Sequence, residues 1–300
     1  MSIRTDLAVE SVCDHHGGGI LEEHEEIDGL SVTRIKITTD EAAAAVGKGK
    51  GSYITLEGNS IAKKEPEMLE TVAKLLSVEL RKILPEGIDS ILVVGLGNRQ
   101  ITPDALGPDV IEKIMVTNHI IKFLNTENQK DFSRVSGISP GVMGITGMET
   151  VDIIKGIVAI SKPSLVIAVD ALCAQNANRM FKTIQITDTG INPGSGVGNR
   201  RDGINKDSLG VPVIAMGIPT VVDARSIVAD ALTDFFKRND QVQNGTNIIN
   251  DIIENSGTGL IVSPKDIDNL IERGAKMIAN GINLALHNNI DFAFIENFVS

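Results

Sequence analysis

Two runs of apolar residues without polar interruption dominate the pattern of this chain. Ser90-Ile91-Leu92-Val93-Val94 and Ser164-Leu165-Val166-Ile167-Ala168-Val169 are short and rich in β-branched side chains, as strands buried on both faces are. A third, Val211–Asp223, predicts a further buried strand or pair. Elsewhere apolar and polar positions alternate, and Leu30–Ile37, Ser52–Leu56 and Lys182–Thr187 read as half-buried strands. Helical spacing takes over from Glu65 to Leu84, where Met68, Leu69, Val72, Leu75, Leu76 and Leu80 share one side. Pro108–Met115, Glu149–Ile160, Ile227–Phe236 and Asp266–Leu286 are predicted helices as well. Strands alternating with helices predict a layered α/β/α fold, with the early strands as a β-rich excursion beside the main sheet. Residues 1–20 show no clear period, and 132–148 read as a loop containing Gly and Pro. Polar, Asn-rich 239–258 reads as a peripheral insertion.

The candidate chemistry lies directly after the first buried run. Gly95 and Gly97 allow a sharp turn, and Thr102-Pro103-Asp104 has the form of a helix start: hydroxyl cap, proline, then acid. Asp104 is therefore expected just past the carboxyl end of a central strand, where open α/β sheets place their sites. The second buried run ends on Asp170. Taken singly, each aspartate has an ordinary structural use, in starting or capping a helix. If the two strands are parallel and close, both acids emerge at one sheet edge, as a candidate acid/base pair.

Composition narrows the classes. The chain has 300 residues, enough for two domains or one large α/β domain, and a formal net charge of −11. That charge argues against a grip on nucleic acid phosphates, and with no Trp and one Tyr there is little to stack on bases. No apolar run is long enough for a membrane span, and Met1–Asp14 has no apolar leader core, so neither a membrane partner nor secretion is expected. Cys13 and Cys173 lie far apart and fit a reducing cytoplasm.

Other motifs fall short of their patterns. Gly95-Leu96-Gly97 lacks the third glycine of a dinucleotide site, Gln100 standing in its place. Gly194-Ser195-Gly196-Val197-Gly198 has no Lys-Ser/Thr ending, and Ser195 lies between Pro193 and Val197, outside a nucleophile elbow. That loop is a tight turn unless it faces Asp104, where its free amides would suit a substrate backbone or an oxyanion. His24-Glu25-Glu26-Ile27-Asp28 begins like a zinc helix, but Asp28 replaces the second histidine. His15, His16 and His24 are expected at the surface, and Cys173 as a small buried hydrophobe. No metal site and no cofactor are expected.

Assembled, these segments resemble the germination protease family of spore-forming Firmicutes, endopeptidases that degrade small acid-soluble spore proteins. The resemblance rests on Ser2–Glu10, on Gly95-Leu96-Gly97-Asn98 with Thr102–Pro108, and on Pro140–Gly144 with Thr146–Thr150. It continues through Val169–Leu172, Pro193–Asn199, Leu209–Ala215 and Ile218–Ala224. It implies a fold like that of hydrogenase-maturation proteases, a homotetramer, and an inactive precursor in the spore core that cuts itself. The family's catalytic aspartates fall on Asp104 and Asp170, and its processing point falls between Asp6 and Leu7. Residues 1–6 would then be a pro-segment and 7–300 one catalytic domain; six residues are fewer than precede the cut in Bacillus members.

Thr5-Asp6-Leu7-Ala8-Val9-Glu10 resembles the family's substrate pattern, so the pro-segment looks like a built-in substrate. An acid before the cut needs a cationic or amide-lined subsite, for which Arg200 and Arg201 are candidates beside Gly194, Ser195 and Gly196. Two rivals stand beside paired-aspartate hydrolysis: a metal-dependent peptidase drawing on His119, and a non-catalytic scaffold of the same fold.

Overall fold

A computed structural model describes residues 5–13, 15, 17–63, 65–121, 131–192, 203–238 and 259–299. The chain opens with a short helix α1 (Ala8–Val12) and a hairpin of β1 (Ile20–Ile27) and β2 (Leu30–Ile37). Asp28 and Gly29 join the two strands, both at positive φ, as a two-residue hairpin turn demands. β1 is therefore a strand, and the zinc-helix pattern already broken by Asp28 has no helix at His24. Its Ile-Leu-Glu-Glu-His-Glu-Glu-Ile sequence is exposed from Leu21 to Glu26, with half-buried isoleucines at its ends, as befits an edge strand blunted by charge. His24 uses its ring Nδ1 on the Thr33 hydroxyl of β2, at 3.0 Å.

Next come α2 (Asp40–Val46), β3 (Gly51–Glu57), α3 (Asn59–Ala62) and the amphipathic α4 (Pro66–Ile83). α4 buries Leu69, Val72, Leu76 and Leu80. Arg34 of β2 ties the hairpin to it through a bidentate pair with the fully buried Glu79, at 2.6 and 2.9 Å. Burial pushes the Glu79 carboxyl up, but Arg34 and Lys82 outweigh this and hold it below its ordinary range.

The centre of the chain contains β4 (Ser90–Gly95), a 3-10 turn at Thr102–Asp104, α5 (Leu106–Ile111), β5 (Arg134–Ile138), α6 (Met143–Thr146) and α7 (Thr150–Ser161). β6 (Leu165–Ala174), β7 (Thr183–Thr187), α8 (Lys206–Leu209) and β8 (Val213–Asp223) come next. α9 (Ala224–Arg238), β9 (Ile261–Val262), α10 (Ile267–Leu286) and α11 (Phe292–Val299) close the chain. The sheet runs β1-β2-β3-β7-β8-β6-β4-β5, with β9 beside β8. β5, β4, β6 and β8 are parallel; the remaining pairings are antiparallel. The early strands are thus an extension of one sheet, joined through β3 and β7, rather than a unit beside it.

Strand periodicity divides the core. Ile91, Val93, Leu165, Ile167, Val169, Ile214, Met216 and Ile218 pack under α4, α5 and α10. Leu92, Val94, Val166, Ala168, Val213 and Ala215 pack under α7 and α8 on the opposite face. This is the expected α/β/α layering. β5 lies where a loop was expected, because Arg-Val-Ser-Gly-Ile at a sheet edge buries only Val135 fully and shows no clear alternation. Residues 239–258 lie outside the described ones.

One buried histidine makes the fold sensitive to acid. Burial pulls His287, at the end of α10, down to about 4 from 6.5. Between those values the unfolded chain binds a proton that the folded chain does not, so stability falls with falling pH, by about 3 kcal/mol in full. Equilibrium denaturation at pH 7 and pH 4.5 checks this: His287→Gln is expected to lose less on acidification than the parent.

Candidate functional site

Asp104 is set by three anchors. β4 runs into Gly97, whose φ of +113° suits glycine and whose missing side chain leaves room for the Asp104 carbonyl oxygen, 2.1 Å from where a Cβ would stand. The Asn98 amide then donates to Asp104 Oδ2 at 2.8 Å and to its carbonyl oxygen at 3.1 Å. From β8, the Thr220 hydroxyl donates to the Pro103 carbonyl at 2.7 Å. Thr102 belongs to the 3-10 turn itself and α5 begins only at Leu106, so the expected cap at Thr102 is not formed. The acid serves the β4 turn instead.

A proline explains why Thr220 is there. β6 and β8 pair in register through Leu172 and Pro219, then resume at Cys173 and Val221, leaving Thr220 as the extra residue of a bulge. Pro219 has no amide hydrogen to continue the ladder, and bulges commonly re-aim a side chain beside a site. The turn carrying Asp104 packs against both β6 and β8.

Asp170 lies within β6, which continues to Ala174, rather than at its end. Its side chain is almost wholly buried, and Oδ1 accepts from the Ala171 amide at 2.9 Å. In register beside it is Gly217 of β8, and beside Gly217 is Gln185 of β7. Partnered residues share a sheet face, so Asp170 and Gln185 stand on one face with no side chain between them. The carboxyl edge of β4 and β6 therefore gathers both aspartate-bearing segments, where the chain leaves β4 for β5 on one side and returns to β6 on the other.

The N-terminal residues occupy this face. The Asp6 amide donates to the Cys173 carbonyl at 2.9 Å, and the Cys173 amide donates to Asp6 Oδ2 at 2.8 Å. Gln185 donates to the Asp6 carbonyl at 2.9 Å and accepts from the Ala8 amide at 2.6 Å. Leu7 and Ala8 are fully buried in an apolar cluster with Ile35, Tyr53, Leu172 and Ala174. The Glu10 carboxylate accepts from the amides of Gln175 and Asn176, at 2.7 and 2.9 Å, with Arg179 3.5 Å away. Lys48 Nζ donates to the Thr5 carbonyl at 2.9 Å. Burial lowers the Lys48 ammonium's pKa, against the pull of Asp6 and Glu10.

Several expectations resolve here. Asp6 and Leu7 sit beside the strand that carries Asp170. Gly194, Ser195, Gly196, Arg200 and Arg201 lie outside the described residues, and among the described ones Lys48 and Arg179 are cations beside the acidic N-terminal segment. Cys173 is buried, its thiol pushed up to about 12 by burial first and then by Asp6, which is the inert residue expected. His119 is exposed, in a turn whose Thr117 donates to Val135 near the amino end of β5, the opposite edge from Asp104. Among the described residues no three His, Cys, Asp or Glu side chains cluster as metal ligands, and no helix is long and apolar enough to cross a membrane.

Lys48, Gln185 and Arg179 escape a reading of the sequence because they meet the N-terminus only through the tertiary fold. The signal available is a lysine inside the glycine-rich Gly47-Lys48-Gly49-Lys50-Gly51 loop, and a lone Gln among the β-branched residues of β7.

The chain is 42% identical over 308 aligned residues to a germination protease of Caldanaerobacter subterraneus subsp. tengcongensis, covering 95% of this chain and 94% of that one. A germination protease of Clostridium perfringens is 40% identical over 324 residues, covering 100% and 99%. One from Bacillus mycoides is 40% identical over 351, covering 97% and 95%. Among solved structures, the NiFe hydrogenase maturation protease HycI of Thermococcus kodakarensis is 20% identical with a TM-score of 0.36, over 68% of this chain and 98% of that one. That likeness is too loose to bear on the site.

A peptidase is the class these relatives define, here on an α/β fold. The germination protease profile matches residues 4–244 and 238–299, and the chain belongs to that family.

Proposed function

We propose that this spore protease is an endopeptidase that degrades small acid-soluble spore proteins in the spore core, and that it is made as a precursor cut between Asp6 and Leu7. The observation that carries this reading is the seating of Thr5–Glu10 along the end of β6, against Cys173 and on the sheet face of Asp170, with every peptide polar group from Asp6 N to Ala8 N hydrogen-bonded. A substrate of the same pattern would meet the same contacts. Its acid before the cut would lie beside Lys48 and the Cys173 amide, its aliphatic residue in the Leu7 pocket, and its later glutamate in the Gln175–Asn176–Arg179 cradle.

Two aspartates at one edge supply the chemistry. Like charges held close disfavour double ionisation, so one carboxyl keeps its proton while the other is charged. The carboxylate takes a proton from water as its oxygen attacks the carbonyl carbon, and the carboxylic acid protonates the departing amine. The titration belongs to the pair. Subunits associate as a homotetramer in this reading, which gives exposed Met143, Ile145 and Met148 a use as contact surface.

The test is incubation of the purified full chain, alone and with a small acid-soluble spore protein, followed by sequencing of new N-termini. A product beginning Leu7-Ala8-Val9-Glu10 and fragments of the spore protein are expected, unchanged after exhaustive chelation. No new terminus under any condition would leave the scaffold reading, and loss of activity on chelation the metallopeptidase one.

A further inference from the structure

Gln185 grips both sides of the bond between Asp6 and Leu7. Its Nε2 donates to the Asp6 carbonyl oxygen at 2.9 Å while its Oε1 accepts from the Ala8 amide at 2.6 Å. The side chain is buried, so these contacts are shielded from water. Across Gly217 on the same face is Asp170, two strand spacings or about 10 Å away between Cα atoms. That gap suits a peptide group with a carboxylate on one side and a carboxamide on the other.

We infer that Gln185 is a catalytic residue, whose carboxamide N–H holds the carbonyl oxygen of the cleaved bond as it becomes an oxyanion. This rests on the reading of Asp6–Leu7 as the cut bond. Water oxygen adds to the Asp6 carbonyl carbon, giving its proton to the carboxylate, and the carbonyl π pair moves onto the oxygen that Nε2 holds. The intermediate collapses as the carbon–nitrogen bond breaks, and the Leu7 nitrogen takes a proton from the carboxylic acid. Charge on that oxygen grows from partial to nearly full, so a fixed donor in a dry site stabilises the transition state more than the bound peptide. The second contact, at Ala8, keeps the carboxamide from rotating its oxygen toward the carbonyl. The loop at 193–198 is then not required as the oxyanion donor.

A purely structural Gln185 would only dock the segment, and the experiment separates the two roles. Self-processing of the purified full chain is followed by mass as loss of residues 1–6, and docking is followed by hydrogen exchange of residues 5–13. Gln185→Met keeps length and burial but has no donor. It also lacks the oxygen that accepts from the Ala8 amide, so that amide is left out of the comparison. The cut is expected to slow about 100-fold or more, with exchange protection of the other amides in 5–13 within about twofold of the parent. Gln185→Leu serves as a second variant of the same kind should Met disturb folding. Cutting at the parent rate overturns the inference, as does slowing matched by an equal loss of protection. A parent chain that never loses residues 1–6 overturns the cut-site reading itself, a result distinct from equal rates in parent and variant.

Discussion

Asp170→Asn is expected to reduce self-processing about 1000-fold or more, and Asp104→Asn to do the same. Both substitutions remove charge and proton-transfer capacity while sparing the local structure. Asp170 Oδ1 accepts from the Ala171 amide and Asp104 Oδ2 from the Asn98 amide, and an asparagine oxygen can still accept in either place, though without the charge. The folded proteins should therefore differ by no more than about 2 kcal/mol in denaturation, far less than the loss in rate. Because the two groups act as a unit, the double variant is expected to be about as slow as either single one. Time courses by mass, with digestion of a spore protein in parallel, measure this. Either variant cutting near the parent rate would remove that aspartate from the mechanism.

Gly107→Ala should be among the most damaging small substitutions in the fold. A Cβ there would stand 2.2 Å from the Leu96 carbonyl oxygen, 2.5 Å from the Leu96 nitrogen and 2.6 Å from the Val169 carbonyl oxygen. All three are backbone atoms, and none can swing aside as a side-chain end would. Two of them, Leu96 N and Val169 O, form the 2.8 Å hydrogen bond that joins the end of β4 to β6. α5 would have to lift off both strands and carry the Asp104 turn with it. The expected cost is about 3 to 5 kcal/mol, a large part of a typical domain's stability. Gly156→Ala on the exposed side of α7, with nothing within 4 Å, is the control and should be neutral or slightly stabilising. Chemical denaturation midpoints decide it; a Gly107→Ala chain within about 1 kcal/mol of the parent would refute the close-packing argument.

What can be read from sequence tracks what hydrophobic pattern encodes. β4 and β6 are buried on both faces, so their unbroken apolar runs announce them, and the acids beyond those runs are visible by position. β1 stays hidden because an edge strand of Glu and His buries almost nothing, and only Asp28-Gly29 hints at the hairpin. β5 is obscure for a related reason, its five residues including Ser136 and Gly137. α11 reads from sequence as no more than a short tail. The site divides in the same way. Asp170 lies within β6 and Asp104 in the turn that follows β4, and periodicity locates both strands. Gln185, Lys48 and Arg179 matter through partners more than 40 residues away, and no local pattern encodes such a pairing. The bulge at Thr220 is foreshadowed by Pro219 inside a buried strand, a cue with a physical meaning once the β6 register is known.

The burial of Leu7 and Ala8 has a consequence for any incoming polypeptide. If the chain is cut ahead of Leu7 as proposed, only what precedes it is freed; the stub from Leu7 to Val12 would keep its pocket and its glutamate clasp, and would still fill the place proposed for substrate. A vacancy arises only when that stub peels away, and Gly17-Gly18-Gly19, just before β1, is the natural pivot. Turnover on foreign chains would then be paced by how often a handful of residues lets go.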